Sequence, residues 1–191
     1  DVMRRYPGLF KAQVLTARKS SALLIRQALE FKPAAVVVTQ EGAYREVSDA
    51  LKGTSVKVLY GQNSLTEVLQ WDSVDMVLNA LVGFAGLAPT LSALKSGKVL
   101  ALANKESLVA GGHLVMRLAN SGKTTLLPVD SEHSAIFQCL RGEQAVVEKI
   151  ILTASGGPFF KYDSRKLDTI TIDQALDHPT WNMGAKVTVD S

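Results

Sequence analysis

The sequence predicts an α/β protein: a doubly wound, mostly parallel sheet, then the start of an α+β region. Three observations predict it. Between residues 1 and 130, short apolar runs alternate with longer amphipathic ones. The short runs, such as residues 34–39 (AAVVVT), are continuous and β-branched, as strands covered on both faces are. The longer runs place apolar residues on a helical period, and Gly or Pro ends several of them.

Each element follows in order. Residues 1–6 read as the tail of a helix stopped by Pro7 and Gly8. Residues 13–16 are a strand, and 20–31 carry Leu23, Leu24, Ile25, Ala28 and Leu29 along one helical side. Pro33 ends that helix, since proline lacks the N–H and clashes with the preceding turn. The buried strand 34–39 comes next, then a helix over 44–52 stopped at Gly53 and a strand over 56–60. A helix over 64–71, a strand over 74–81, a helix over 89–96 and a strand over 98–103 continue the alternation. Residues 108–119 make a helix weakened by Gly111 and Gly112, and 125–129 a further strand. Beyond Asp130 the pattern changes, so the domain boundary is placed there: 1–130, then 131–191. The second region is expected to hold a helix over 134–140, a strand over 146–153, a Gly-rich bend, and a polar loop with Asp163, Arg165, Lys166 and Asp168. A short helix over 171–176 and a strand beginning at 186 complete it.

Such a sheet ordinarily opens with a central strand and a Gly-rich turn into the first helix. Neither is in the sequence. A sheet without its central strand exposes two edges, so the chain reads as part of a longer protein.

Composition narrows the class. With 191 residues, 47% apolar and 20% charged, the chain is neither disordered nor collagen-like. Its single cysteine, Cys139, excludes an internal disulfide and a cysteine zinc site; it fits a reducing compartment and reads as an inert core residue. A net charge of +3 is too small to indicate nucleic acid. The most apolar window, 76–94, is broken by Asn79, Gly83, Gly86, Pro89 and Thr90, so it is not a membrane span. No signal peptide is visible, and a soluble intracellular protein without membrane or nucleic-acid partners is expected.

Four clusters could carry chemistry. Asp130 and Glu132 end a predicted strand; if that segment stays extended, both carboxylates share one face and suit Mg²⁺ or Mn²⁺. The alternative is that Asp130 or Ser131 caps the next helix. Asn104, Lys105 and Glu106 follow another strand: Asn104 could approach a cofactor, Lys105 a negatively charged substrate, or the group simply starts a helix. Ser155, Gly156 and Gly157 form either a phosphate-binding nest or a plain turn. His178, Trp181, Met183 and Gly184 lie in a loop-like stretch that is either a lid or packed on a neighbour. His113 reads as structural, and His133 is left open.

Together the segments 102–112 (LANKESLVAGG), 127–138 (LPVDSEHSAIFQ), 151–159 (ILTASGGPF) and 177–191 (DHPTWNMGAKVTVDS) resemble the 1-deoxy-D-xylulose 5-phosphate reductoisomerase family. Four long motifs in order make the match specific, and it extends more weakly over nearly the whole chain. The resemblance implies a Rossmann-like NADPH-binding domain over 1–130, lacking its first strand, and the start of a catalytic and connective domain over 131–191. It implies NADPH- and metal-dependent (Mn²⁺, Mg²⁺ or Co²⁺) rearrangement and reduction of 1-deoxy-D-xylulose 5-phosphate to 2-C-methyl-D-erythritol 4-phosphate in isoprenoid biosynthesis. It also implies a homodimer, in the bacterial cytoplasm or a plastid stroma.

Residue by residue, Asp130 and Glu132 match two metal ligands. Lys105, Ser131, Glu132, Ser155, His178 and Ser191 match substrate-binding positions, and Trp181 the indole of a flap. Asn104, Glu106 and Gly184 match positions near NADPH. Lys105, Asp130, Glu132 and His178 are the implied catalytic set. The second cofactor loop reads Arg18, Lys19, Ser20: Lys19 is placed to pair with the 2′-phosphate, but Arg18 stands where the family has Gly, which puts its backbone geometry in question. The third carboxylate ligand would lie beyond Ser191, so this chain alone is expected to be inactive. A two-domain semialdehyde-type dehydrogenase and a degenerate nucleotide-binding module are the alternatives.

Overall fold

Among the described residues, six strands, all paired in parallel, carry the architecture of the protein in this computed structural model. It describes residues 1–121, 124–142, 146–154, 156–182 and 184–190, so the expectations placed on Ser155, Met183 and Ser191 lie outside the described residues. The chain forms two units, Asp1–Gln138 and Cys139–Ser191.

The first unit begins with α1 (Val2–Arg5), β1 (Val14–Ala17), α2 (Ser21–Phe31), β2 (Ala35–Val38), α3 (Glu41–Ala50) and β3 (Lys57–Tyr60). It continues with α4 (Gly61–Val68), β4 (Met76–Asn79), a 3₁₀ turn (Gly83–Gly86), α5 (Leu87–Lys95), β5 (Val99–Leu102), α6 (Glu106–Asn120), β6 (Leu126–Pro128) and α7 (Ser131–Leu140). The sheet orders are β1-β2-β3 and β4-β5-β6. β1, β3, β4 and β6 are each paired on one side only among the described residues.

Burial explains the sequence pattern. All four residues of β2 are buried, because helices cover both of its faces. Leu24 and Ala28 of α2 and Ala43 and Val47 of α3 pack on one side with Val36 and Val38. Val37 points the other way, onto Leu65 and Val68 of α4. Around the second sheet, Leu100 and Leu102 pack with Ala93 and Leu94 of α5 and Val115 of α6. α6 bends at Gly111, where a Cβ would meet Leu87 of α5 at 2.9 Å; close helix approach, not flexibility, accounts for that glycine. α1 is held by a bidentate pair from Arg4 to Glu30, at 2.6 and 2.7 Å.

The second unit differs from expectation in two places. Residues 146–154 form no strand: Val146, Ile151 and Leu152 are exposed, and no described segment offers them an edge to pair with. The stretch expected to begin a strand at 186 is instead α9 (Ala185–Asp190), whose Thr188 N–H and hydroxyl both reach the Gly184 carbonyl. That hydroxyl bond offsets the β-branched preference of the Val-Thr-Val run. The expected helix is present as α8 (Ile172–Leu176), fixed by a Thr171–Gln174 capping box. Before it, the polar loop winds into a 3₁₀ segment, Ser164–Thr169, capped by Asp163.

No helix among the described residues is long and apolar enough to cross a membrane.

Candidate active site

The carboxyl ends of parallel strands are where open α/β sheets bind ligands, and three clusters from the sequence lie there. After β1, Arg18, Lys19 and Ser20 are exposed. Arg18 does not take a left-handed conformation: Lys32 is the one non-glycine residue with positive φ among the described residues. The Arg-for-Gly exchange is therefore accommodated without backbone strain, and Lys19 stands exposed at the mouth of the sheet.

After β5, the chain enters α6 through Asn104 and Lys105. Asn104 is buried. Its Nδ2 donates to the carbonyls of Leu81 (2.6 Å) and Gly83 (2.9 Å), and Oδ1 accepts from the Ser107 amide (3.1 Å) and hydroxyl. The side chain expected near a cofactor is thus spent within the protein. Lys105 is exposed, while the Glu106 carboxylate sits 3.2 Å from Asn104 Nδ2.

After β6 the shared-face expectation fails. The strand ends at Pro128 and α7 begins at Ser131, with the Ser134 amide donating to the Asp130 carbonyl at 3.0 Å. Asp130 occupies the helix-start position and Glu132 the first turn, where positions two apart do not share a face. The helix won because Ser131, Glu132 and the apolar residues after them favour a helix start over further extension. Asp130 nevertheless does more than start a helix: its Oδ2 accepts from His133 Nδ1 at 2.7 Å, and its side chain is only 13% exposed.

Register explains why two clusters meet. Leu102 of β5 pairs with Pro128 of β6, and the Val129 amide donates to the Leu102 carbonyl at 2.9 Å. Lys105 and Asp130 follow within three residues of that pair and line one cleft of about 180 Å³ with Leu108 and His133. Its character is a cation, a carboxylate and an imidazole over an apolar floor.

As metal donors, Asp130 and Glu132 are of the right type, hard oxygens, and a carboxylate steadied by an imidazole is a common feature of ligands. No group of three His, Cys, Asp or Glu residues suited to a metal occurs among the described residues. Two carboxylates fit Mg²⁺, which usually takes one or two and fills the remaining positions with water and substrate oxygens.

In the second unit, Gly156 and Gly157 take φ of +86° and +67°, and a Cβ at Gly156 would strike Phe160 within 2.9 Å. Only glycine fits this bend. The bend and Phe159 line a cavity of about 200 Å³ with Ala175 and Val189. His178 is buried, and its Nδ1 accepts the amides of Thr180 (3.1 Å) and Trp181 (3.0 Å), which puts the ring proton on Nε2. Trp181 is 58% exposed. Gly184 ends the loop at α9. Ser131 and His113 are exposed, and Cys139 is exposed and not in the core. That correction follows from α7, which buries none of its residues.

Sequence reasoning passed over four buried polar residues among those described, including Asn79 at the end of β4, Thr90 in α5 and Ser107 in α6. An amide closing an apolar strand run was the available signal.

Fold and site define the class: a doubly wound α/β chain whose polar residues gather at neighbouring strand ends. Residues 1–112 match the family described as 1-deoxy-D-xylulose 5-phosphate reductoisomerase, and residues 126–191 match its C-terminal domain. The chain belongs to the 1-deoxy-D-xylulose 5-phosphate reductoisomerase family. It is 50% identical over 191 residues to the reductoisomerase of Phocaeicola vulgatus, covering 100% of this chain and 50% of that protein. Against a Bacteroides fragilis relative it is 49% identical, again covering 100% and 50%. Among solved structures, the Zymomonas mobilis enzyme in complex with NADPH superposes with a TM-score of 0.88 at 38% identity, over 100% of this chain and 49% of that one. A reductoisomerase complex with NADPH, fosmidomycin and magnesium gives 0.87 at 36%, over 99% and 49%. The chain spans about half the length of the curated relatives it matches. Neither the semialdehyde dehydrogenase nor the degenerate-module reading is favoured by these matches.

Proposed function

We propose that the intact protein carries out NADPH- and divalent-metal-dependent conversion of 1-deoxy-D-xylulose 5-phosphate to 2-C-methyl-D-erythritol 4-phosphate, as an oxidoreductase and isomerase of isoprenoid biosynthesis. Mg²⁺, Mn²⁺ or Co²⁺ would serve as the ion, and the working form is a homodimer in the cytoplasm, or in the plastid stroma if the source is eukaryotic. The functional division is at Asp130, with residues 1–130 serving NADPH and 131–191 beginning the catalytic domain.

The observation that carries the reading is the cleft shared by Lys105, Asp130 and His133. Asp130 and Glu132 would hold the ion, which when bound supplies Lewis-acid polarisation of the substrate carbonyl. His133 steadies the Asp130 carboxylate from the side. Lys105, exposed at the start of α6, binds the anionic substrate as a point charge. Ser131, Ser155 and Ser191 donate hydroxyl hydrogen bonds to substrate oxygens, and the Gly156–Gly157 bend turns amides towards a phosphate. His178 is a further substrate-binding residue, its ring fixed by the amides of Thr180 and Trp181. Trp181 would close over bound substrate and exclude water. On the dinucleotide side, Lys19 pairs with the 2′-phosphate, Arg18 and Ser20 line the same mouth, and Asn104, Glu106 and Gly184 are further NADPH-side residues, Asn104 through the backbone groups it holds.

The test is turnover by the intact protein with both substrates and Mg²⁺ or Mn²⁺, before and after chelation, in wild type and Asp130→Asn. The expected result is activity lost on chelation and restored by the ion, and abolished by the substitution with NADPH affinity largely kept. Full activity in the chelated protein, or a collapse of NADPH binding in Asp130→Asn, would refute this division of labour.

A further inference from the structure

Behind the strand ends of the first unit lies a buried polar chain of which the assignments above use only Asn104. Asn79, Thr90, Asn104 and Ser107 are each at most 3% exposed. Asn79 Nδ2 donates to Thr90 Oγ1 at 2.8 Å and to the Gly86 carbonyl at 2.9 Å, while Oδ1 accepts the Leu81 amide at 3.2 Å. The Thr90 hydroxyl donates to Ser107 Oγ at 3.4 Å, and Ser107 donates to Asn104 Oδ1. Asn104 Nδ2 returns to the carbonyls of Leu81 and Gly83. Donors and acceptors alternate along the whole path, and no buried side-chain N or O among the described residues lacks a partner.

We propose that Asn79 and Thr90 are positioning residues for the dinucleotide. They fix the 81–86 loop and, through Ser107, the Asn104 side chain, and so set where the first turn of α6 presents Lys105 and Glu106. The inference rests on the cofactor reading given above and adds two residues to it. Three features carry it. The path grips the 81–86 loop at four backbone groups: the Leu81 amide and the carbonyls of Leu81, Gly83 and Gly86. That loop leaves the carboxyl end of β4, an outer strand of the second sheet, and open α/β sheets bind ligands outside the carboxyl ends of their strands. The backbone joins the same path, since the amides of Ala103 and Asn104 both donate to the Asn79 carbonyl, at 2.9 and 3.1 Å. Loop and helix start therefore move as one body, and a break at Thr90 would be felt at both. A core threonine serving stability alone would not need its hydroxyl between the last residue of β4 and the first turn of α6.

The test uses the intact protein and NADPH itself. Thr90→Val keeps the shape but removes the hydroxyl, so Asn79 Nδ2 loses one of its two acceptors and Ser107 Oγ loses the donor that reaches it. The expected result is an NADPH Kd and KM raised about five- to tenfold, with kcat at saturating NADPH within about twofold of wild type. Thr90→Ser, which restores the hydroxyl, returns the Kd to within about twofold. A lowered Tm with unchanged NADPH affinity makes the path merely structural and overturns the proposal, as does a Thr90→Ser protein no better than Thr90→Val. Should Thr90→Val fail to fold, Ser107→Ala cuts the path one link nearer Asn104 and is read the same way. Wild-type protein that binds no NADPH would instead remove the cofactor reading, a failure visible before any substitution is made.

Discussion

Gly86→Ala separates steric from conformational effects at one position. Gly86 is buried with φ −76° and ψ −17°, angles that alanine adopts freely, so the substitution costs nothing in backbone strain. Its Cβ, however, would fall 2.8 Å from Asn104 Nδ2 and closer still to the rest of the amide. Asn104 cannot give way cheaply, because it holds the Leu81 and Gly83 carbonyls and the Ser107 amide. Making room breaks about two of those bonds, each about 1–3 kcal/mol when a buried group is left unpaired. Overpacking alone costs about 1–3 kcal/mol. A loss of about 3 kcal/mol is expected.

Urea denaturation of the intact protein measures it, provided the m-value is unchanged. Gly42→Ala is the control: it lies in α3 with open space at the Cβ and should stabilise by about 0.5–1 kcal/mol through helix propensity. Adding Asn104→Ala to Gly86→Ala removes the clashing amide, so the double variant should be more stable than the sum of the singles by about 1 kcal/mol or more. A Gly86→Ala protein within about 0.5 kcal/mol of wild type, or strictly additive effects, would show that the amide is not fixed as described.

Two further outcomes follow from local chemistry. The Arg4 hydrogen bond holds the Glu30 carboxyl below its ordinary range, so the pair is intact at neutral pH and is lost as pH falls through that lowered value. Protection of the α1 amides, taken relative to the intrinsic exchange rate at each pH, should fall on acidification in wild type but be low at every pH in Glu30→Gln; parallel protection profiles would rule the pair out as the clamp. Thr171→Ala removes the cap of α8 and should cost about 1 kcal/mol, seen first as lost protection of the Gln174 amide; unchanged protection would mean that packing alone holds the helix.

Most of the first unit was legible because a strand buried on both faces has to be written as a continuous apolar run. β2 and β5 show this directly. The second unit was less legible. Residues 146–154 and 185–190 both carry strand propensity, but a strand is a property of pairs. One segment finds no partner among the described residues, and the other takes a helix through the bond from Thr188 to Gly184. The site was legible in identity but not in geometry. Asp130 was recognised, yet the extended route to sharing a face with Glu132 failed at Ser131, where capping chemistry overrides alternation. Asn79 and Thr90 escaped notice because a single residue type cannot announce a hydrogen-bonding path that closes only when β4, α5 and α6 are packed.

Helix-start chemistry and metal chemistry ask for the same residues, so the acidic pair alone decides nothing. Glu106 and Glu132 both stand in helix first turns, where the macrodipole favours a carboxylate with no ion present. Asp130 is different in kind. Its carbonyl starts α7, which satisfies the local requirement, and its carboxylate is then turned to His133 in a mostly buried position. Partial burial of a carboxylate is costly unless it is paired. A capping residue gains nothing from that cost, since an exposed cap works equally well. The cost is consistent with a site built to hold charge in a fixed direction, and the register that places Lys105 across the same cleft supplies the direction.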